Sequence, residues 1–215
     1  MNNILKVSVV VVNILILVSG IMVVGCSNSK DIILVCLGDS LTSGYGATTP
    51  FIDDESKSYP SYLQKKANIP VINAGVSGST TSHSLARIDS NFLSECPDMI
   101  IILLGANDFF GNISVSTTQS NLQNIINKFD NGNRKIYLAK FYTDEIATAM
   151  SIPSNTVIQY NNMFTALASS SNEITLIEDI WTGVWGIHMS DNIHPNANGY
   201  EIMADNIYKV IKKDL

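Results

Sequence analysis

Five short apolar runs, at 32–37, 71–74, 99–104, 135–139 and 175–177, constrain the fold of this 215-residue chain more than any other feature. Most are rich in Ile, Leu and Val and lack polar alternation, as strands covered on both faces should be. The segments between them carry helical periodicity. Leu122, Ile125, Ile126 and Phe129 fall at i, i+3, i+4 and i+7, one apolar stripe on a polar background. Val157, Tyr160, Phe164 and Leu167 form a second stripe, and Met203, Ile207, Val210 and Ile211 a third; 58–67 and 80–95 are less regular helix candidates. Strand alternating with helix predicts an α/β domain, three layers deep, around a five-stranded parallel sheet. No repeat, charge block or linker interrupts 31–215, so a single domain is expected.

The first 25 residues do not belong to that pattern. Residues 1–6 carry one Lys, and 7–24 run without a charge into Gly25-Cys26 and the polar Ser27-Asn28-Ser29-Lys30. A basic start, an apolar stretch and a small residue before the cut describe a secretory signal. Cys directly after that small residue resembles a bacterial lipobox, in which the Cys26 thiol is lipidated and residues 1–25 are removed. The alternative is an uncleaved anchor, since eighteen mostly apolar residues are just long enough to span a bilayer. The lipobox is the preferred reading. Both export the domain to the cell envelope and tether it to a membrane, with 26–30 as the tether and 26–215 as the domain. Without the leader's single Lys the net charge is 12 − 19 = −7. The other cysteines are Cys36, inside an apolar run and read as a small core residue, and Cys96; no disulfide is expected.

The net charge of the whole chain, −6, leaves no basic footprint for nucleic acid. Three Cys and three His leave little material for a metal centre, so chemistry without a metal or organic cofactor is expected. In open parallel sheets, ligands bind beyond the carboxyl ends of the strands. The first run ends in Gly38-Asp39-Ser40, where a Ser on a tight turn can expose its hydroxyl or simply cap a helix. The second ends in Asn73-Ala74-Gly75-Val76-Ser77-Gly78, where Gly75 admits a close backbone approach or marks a turn. The third ends in Gly105-Ala106-Asn107-Asp108, whose Asn107 amide is a hydrogen-bond donor or part of an Asx turn. Asp191 and His194 stand three apart in a loop before the last helix, so a local turn can place the carboxylate on one imidazole nitrogen.

In this order the four segments resemble the signature blocks of the SGNH, or GDSL, hydrolase family, over nearly the whole chain after the leader. The resemblance implies a flavodoxin-like SGNH hydrolase fold with Ser40 as nucleophile, His194 as general base and acid, and Asp191 as its orienting carboxylate. It implies oxyanion donors at the Ser40 N–H, the Gly75 N–H and the Asn107 side chain. The stretches SYPSYLQKK, VINAGVSGSTT and DNIHPNANGY look like the branch of exported bacterial arylesterases, thioesterases and lysophospholipases. Ser79 departs from the Asp often found there in that branch.

Phe109 and Phe110 follow Asn107-Asp108, and Trp185 and Ile193 lie in the segment leading to His194; these four are the candidate substrate wall. The expected substrate is a short or medium acyl ester, an acyl thioester or a lysophospholipid, the last favoured by a membrane tether at Cys26. The alternatives are a carbohydrate O-acetylesterase and a non-catalytic, lipid-anchored binding protein on the same scaffold. The sequence sets no oligomeric state.

Overall fold

The computed structural model describes residues 32–88, 96–141, 151 and 153–215. The leader and Cys26 therefore lie outside the described residues, as does the end of the helix candidate at 80–95. Five parallel strands form one sheet: β1 (Leu34–Gly38), β2 (Val71–Gly75), β3 (Met99–Leu103), β4 (Lys135–Ala139) and β5 (Ile174–Ile177), in the order β2-β1-β3-β4-β5. The five apolar runs are these strands, with ends displaced by at most two residues. Every residue of central β1 and β3 is buried, whereas edge strand β2 is mostly half-buried, so the unbroken Ile and Leu runs are the central ones.

Among the described residues there are seven α-helices: α1 (Ser40–Ser43), α2 (Tyr59–Ala67), α3 (Thr81–Arg87), α4 (Ala106–Phe110), α5 (Val115–Phe129), α6 (Ser154–Ala168) and α7 (Ala197–Ile211). α2 packs on α7, and α3, α5 and α6 pack in succession, so the helices divide into two layers about the sheet. The α5 and α6 stripes are buried at all four positions. In α7 the buried face is Tyr200, Met203, Ala204, Ile207 and Ile211, and Val210 stands at its margin, because the stripe follows 3.6 residues per turn through Tyr200. No helix among the described residues is long and apolar enough to cross a membrane.

Cys36 is fully buried and free, and burial pushes its thiol far up. Cys96, just before β3, is disulfide-bonded, which corrects the expectation of no disulfide. That expectation came from assigning Cys26 to lipidation; the partner of Cys96 lies outside the described residues.

The crossover from β1 to β2 and the return to β3 on the other side of β1 leave a switch point at the carboxyl ends of β1 and β3. Ser40 and Asn107 sit there, each within four residues of its strand end.

Candidate active site

Ser40 begins α1 directly after β1. Its neighbour Asp39 caps the helix, accepting the Leu41 N–H at 3.0 Å, and Gly44 closes it in a left-handed conformation. The turn thus holds the Ser40 hydroxyl above the sheet. From α7 the Tyr200 hydroxyl braces it, donating to the Tyr45 carbonyl at 2.8 Å and lying 3.4 Å from the Ser40 carbonyl.

The His194 loop is equally local in origin. Ser190 N–H donates to the His194 carbonyl at 2.8 Å, Met189 pairs with Pro195, and Asn196 caps α7. Asp191 Oδ1 accepts the N–H groups of Ile193 and His194, both at 2.7 Å, and its Oδ2 lies 2.8 Å from His194 Nδ1. Burial alone would raise the Asp191 carboxyl, but those amides and the imidazole outweigh it and hold it below the usual carboxylate range. His194 Nε2 lies 2.9 Å from Ser40 Oγ, and the Tyr45 ring packs beside the imidazole with centroids 4.6 Å apart. Ser40, His194 and Asp191 therefore converge as the sequence predicts.

Asn107 also reaches the site. Its Nδ2 donates to Asp39 Oδ2 at 3.2 Å and to the Ser79 carbonyl at 3.1 Å. Burial pushes the Asp39 carboxyl up to about 7, against the pull of the Leu41 amide, with the charge of nearby Asp108 adding to the rise. Asp108 is itself buried and accepts the Thr81 N–H at 2.8 Å and the Thr81 and Thr118 hydroxyls, which fixes α4 against α3 and α5.

Gly75 does not act as expected. Its N–H is engaged by the Asn73 side chain at 2.9 Å, and it is absent from the pocket wall. A Cβ there would lie 2.3 Å from the Ser43 nitrogen, so Gly75 serves the packing of α1 on β2. Three residues on, Gly78 lines the pocket at φ +77°, and a Cβ there would meet nothing within 4 Å. The N–H groups of Gly78 and Ser40 donate to no other described residue.

The pocket over Ser40 has a volume of about 310 Å³. Of the four expected wall residues it takes Phe110 and Ile193. Phe109 turns instead toward Tyr160, with ring centroids 6.2 Å apart, and Trp185 packs edge-on against buried Trp181 at 5.5 Å. Their places are filled by Leu41, Tyr45 and Phe141. Phe141 lies two residues past the end of β4, so the strand-end rule that singled out the first three loops would have found it. Among the described residues no three His, Cys, Asp or Glu side chains converge to hold a metal.

A hydroxyl, an imidazole and a carboxylate in one hydrogen-bonded line at the switch point of a parallel sheet define a site suited to nucleophilic acyl transfer. Comparison with known proteins agrees. Residues 36–202 match the GDSL-like Lipase/Acylhydrolase family, and the chain belongs to it as a hydrolase of ester bonds. It is 25% identical over 190 residues to the esterase TesA of Pseudomonas aeruginosa, spanning 83% of this chain and 87% of that protein. It is 26% identical over 194 residues to the arylesterase of Vibrio mimicus, spanning 85% and 89%. Among solved structures, the lipase/acylhydrolase from Enterococcus faecalis superposes with a TM-score of 0.70 at 26% identity, over 86% of this chain and 97% of that one.

Proposed function

We propose that the protein hydrolyses short acyl esters through an acyl-serine intermediate. His194 takes the Ser40 proton as Oγ bonds to the ester carbonyl carbon, and returns it to the leaving oxygen as the C–O bond breaks. Water then attacks the acyl-serine with His194 again as base, releasing the acid and restoring Ser40. The oxyanion is received by the N–H groups of Ser40 and Gly78 and by the Asn107 amide, which exchanges one of its present acceptors for the developing charge. The observation that carries this reading is the line from Ser40 Oγ through His194 to Asp191, with steps of 2.9 and 2.8 Å.

A pocket of about 310 Å³ walled by Leu41, Phe110, Phe141 and Ile193 favours a short acyl group over a long one. The test is an ester series from p-nitrophenyl acetate to palmitate, with acyl-CoA and lysophosphatidylcholine, on the leaderless protein. kcat/KM should peak among the short esters and fall steeply by palmitate. Asn107→Ala should lower kcat about 100- to 1000-fold; Ser40→Ala should lower it further. Wild-type turnover by Ser40→Ala would end the proposal.

Export remains part of this reading and rests on the sequence of the leader; so does lipidation at Cys26, which competes with the Cys96 disulfide, because Cys36 is free and the chain has three cysteines. The described chain begins at Ile32, at the amino end of the sheet, opposite the pocket. Residues 27–33 extend at most about 24 Å at ~3.4 Å each, whereas a domain of this size is about 40 Å across. A tether that short holds the pocket away from the anchoring membrane, which argues against that membrane's own lysophospholipid as substrate. Lipidation would take the Cys26 sulfur as a thioether and make it unavailable to a disulfide. Intact mass of membrane-extracted protein, with and without reductant, distinguishes a lipidated Cys26 from a disulfide-bonded one.

A further inference from the structure

The turn that carries the Gly78 N–H has little packing of its own. Ser79 N–H donates to the Val76 carbonyl at 3.0 Å across Ser77 and Gly78. Gly78 stands at φ +77° while Ser77 is not left-handed, which makes 76–79 a type II β-turn. The middle peptide of that turn holds the Gly78 N–H. In a type I turn with the same ends the peptide is flipped, and a carbonyl oxygen stands where the N–H was. Glycine takes either form without steric cost. Val76, Ser77 and Gly78 are exposed, and a Cβ on Gly78 would meet nothing within 4 Å, so packing against Gly78 does not choose between the forms.

A hydrogen bond from outside the turn does. Ser77 Oγ donates to Asp53 Oδ1 at 2.6 Å, a bond of the stronger, charge-assisted kind. The same oxygen accepts the hydroxyl of buried Ser43 at 2.6 Å, and the two hydroxyl oxygens stand 3.0 Å apart. Asp53 is itself held in place. It pairs with Tyr45 in an antiparallel bridge, flanked by Gly46 N–H on the Ile52 carbonyl at 3.0 Å and Asp54 N–H on the Gly44 carbonyl at 3.1 Å. The Tyr45 ring packs beside His194, and a Cβ on Gly46 would lie 3.5 Å from His194 Cβ. The hairpin at 44–54 therefore touches the imidazole with one strand and the oxyanion turn with the other. Ser77 and Gly78 line the pocket, whereas Asp53 does not.

We propose that Asp53 is a positioning residue for the oxyanion site: through Ser77 it holds the middle peptide of the turn with the Gly78 N–H toward Ser40. The assignment rests on Gly78 as an oxyanion donor of the acyl-serine mechanism and adds the residue that orients it. Asp53 stands outside the pocket wall, so its effect falls on the transition state, where the oxyanion develops, and not on ester binding.

Asp53→Ala, Ser77→Ala, the double variant and Asp53→Asn test it on p-nitrophenyl acetate and butyrate. kcat should fall about tenfold or more in Asp53→Ala, part of what a whole oxyanion donor supplies, with KM little changed. Ser77→Ala should do the same, and the double variant should lose no more than either single one, because both break one link. Asp53→Asn keeps an oxygen acceptor for the Ser77 hydroxyl and should recover most of the loss. Affinity for an alkyl trifluoromethyl ketone, whose adduct on Ser40 places an oxyanion in the same hole, should fall in step with kcat. Wild-type kcat in Asp53→Ala, or a loss confined to KM, would overturn the proposal. Ser43 Oγ also lies 3.1 Å from the Ser40 carbonyl, so losses that multiply in the double variant would assign Asp53 to α1 instead and overturn it too. Fluorophosphonate labelling of wild-type Ser40 keeps the two readings apart. With labelling, any of these results removes Asp53 alone; without it, the acyl-serine reading fails and the proposal with it.

Discussion

Asp39 is the residue whose surroundings depart furthest from what its position in the chain suggests. It caps α1, holds the Asn107 amide and is 2% exposed, and burial pushes its carboxyl up to about 7. In the unfolded chain the same group ionises near pH 4. Between those values the unfolded state has lost a proton that the native state keeps, so this group lowers stability as pH rises from about 4 to about 7, and the penalty is constant above. Asn at this position keeps an acceptor for the Leu41 N–H without carrying charge. Asp39→Asn should therefore gain stability relative to wild type across that interval, on the order of 4 kcal/mol by pH 8, read from urea unfolding at pH 4, 6 and 8. A stability difference independent of pH would show that Asp39 is ionised throughout. Ser40, Asp191, His194 and Asn107 were legible because each follows a strand or sits within one turn of its partner. The oxyanion glycine was not: Gly75 ends β2 and Gly78 stands in the turn that follows, and what separates them is the Asn73 side chain, which reaches forward two residues and engages the Gly75 N–H. An Asx turn has that reach, so Asn73-x-Gly75 held the clue.

At the scale of elements, the site depends on short pieces pinned to long ones. α1 and α4 are too short to be stable as isolated helices; α1 is braced by Tyr200 of α7, and α4 by Asp108 against Thr81 and Thr118. Asp108→Ala leaves the buried Thr81 N–H and hydroxyl short of an acceptor, while the Thr118 hydroxyl keeps the Ser114 carbonyl at 3.2 Å, and should cost about 2–4 kcal/mol, measured by denaturant unfolding, with activity falling as α4 and its Asn107 loosen. The two glycines divide by the same measurement. Gly75→Ala drives a Cβ into the α1 backbone and should destabilise by about 2 kcal/mol or more. Gly78→Ala meets open space and should cost only about 1 kcal/mol for its left-handed backbone. Equal losses would contradict the assignment of packing to Gly75. The helix stripes were legible because four apolar residues at i, i+3, i+4 and i+7 have one geometric reading. The pocket wall was not, because the side to which Phe109 turns is set by Tyr160, distant in sequence, and that of Trp185 by the buried ring of Trp181.

Across the whole molecule, parallel order places every strand's carboxyl end on one side, and with it the pocket, while the chain enters on the other. The central claim is that Ser40 is a nucleophile activated by His194. It is tested most directly by the intact mass of the leaderless protein after exposure to a fluorophosphonate. One adduct per chain is predicted, mapped to Ser40, absent from Ser40→Ala and strongly slowed in His194→Ala. An adduct on any other residue, or a His194→Ala variant labelled at the wild-type rate, would contradict it.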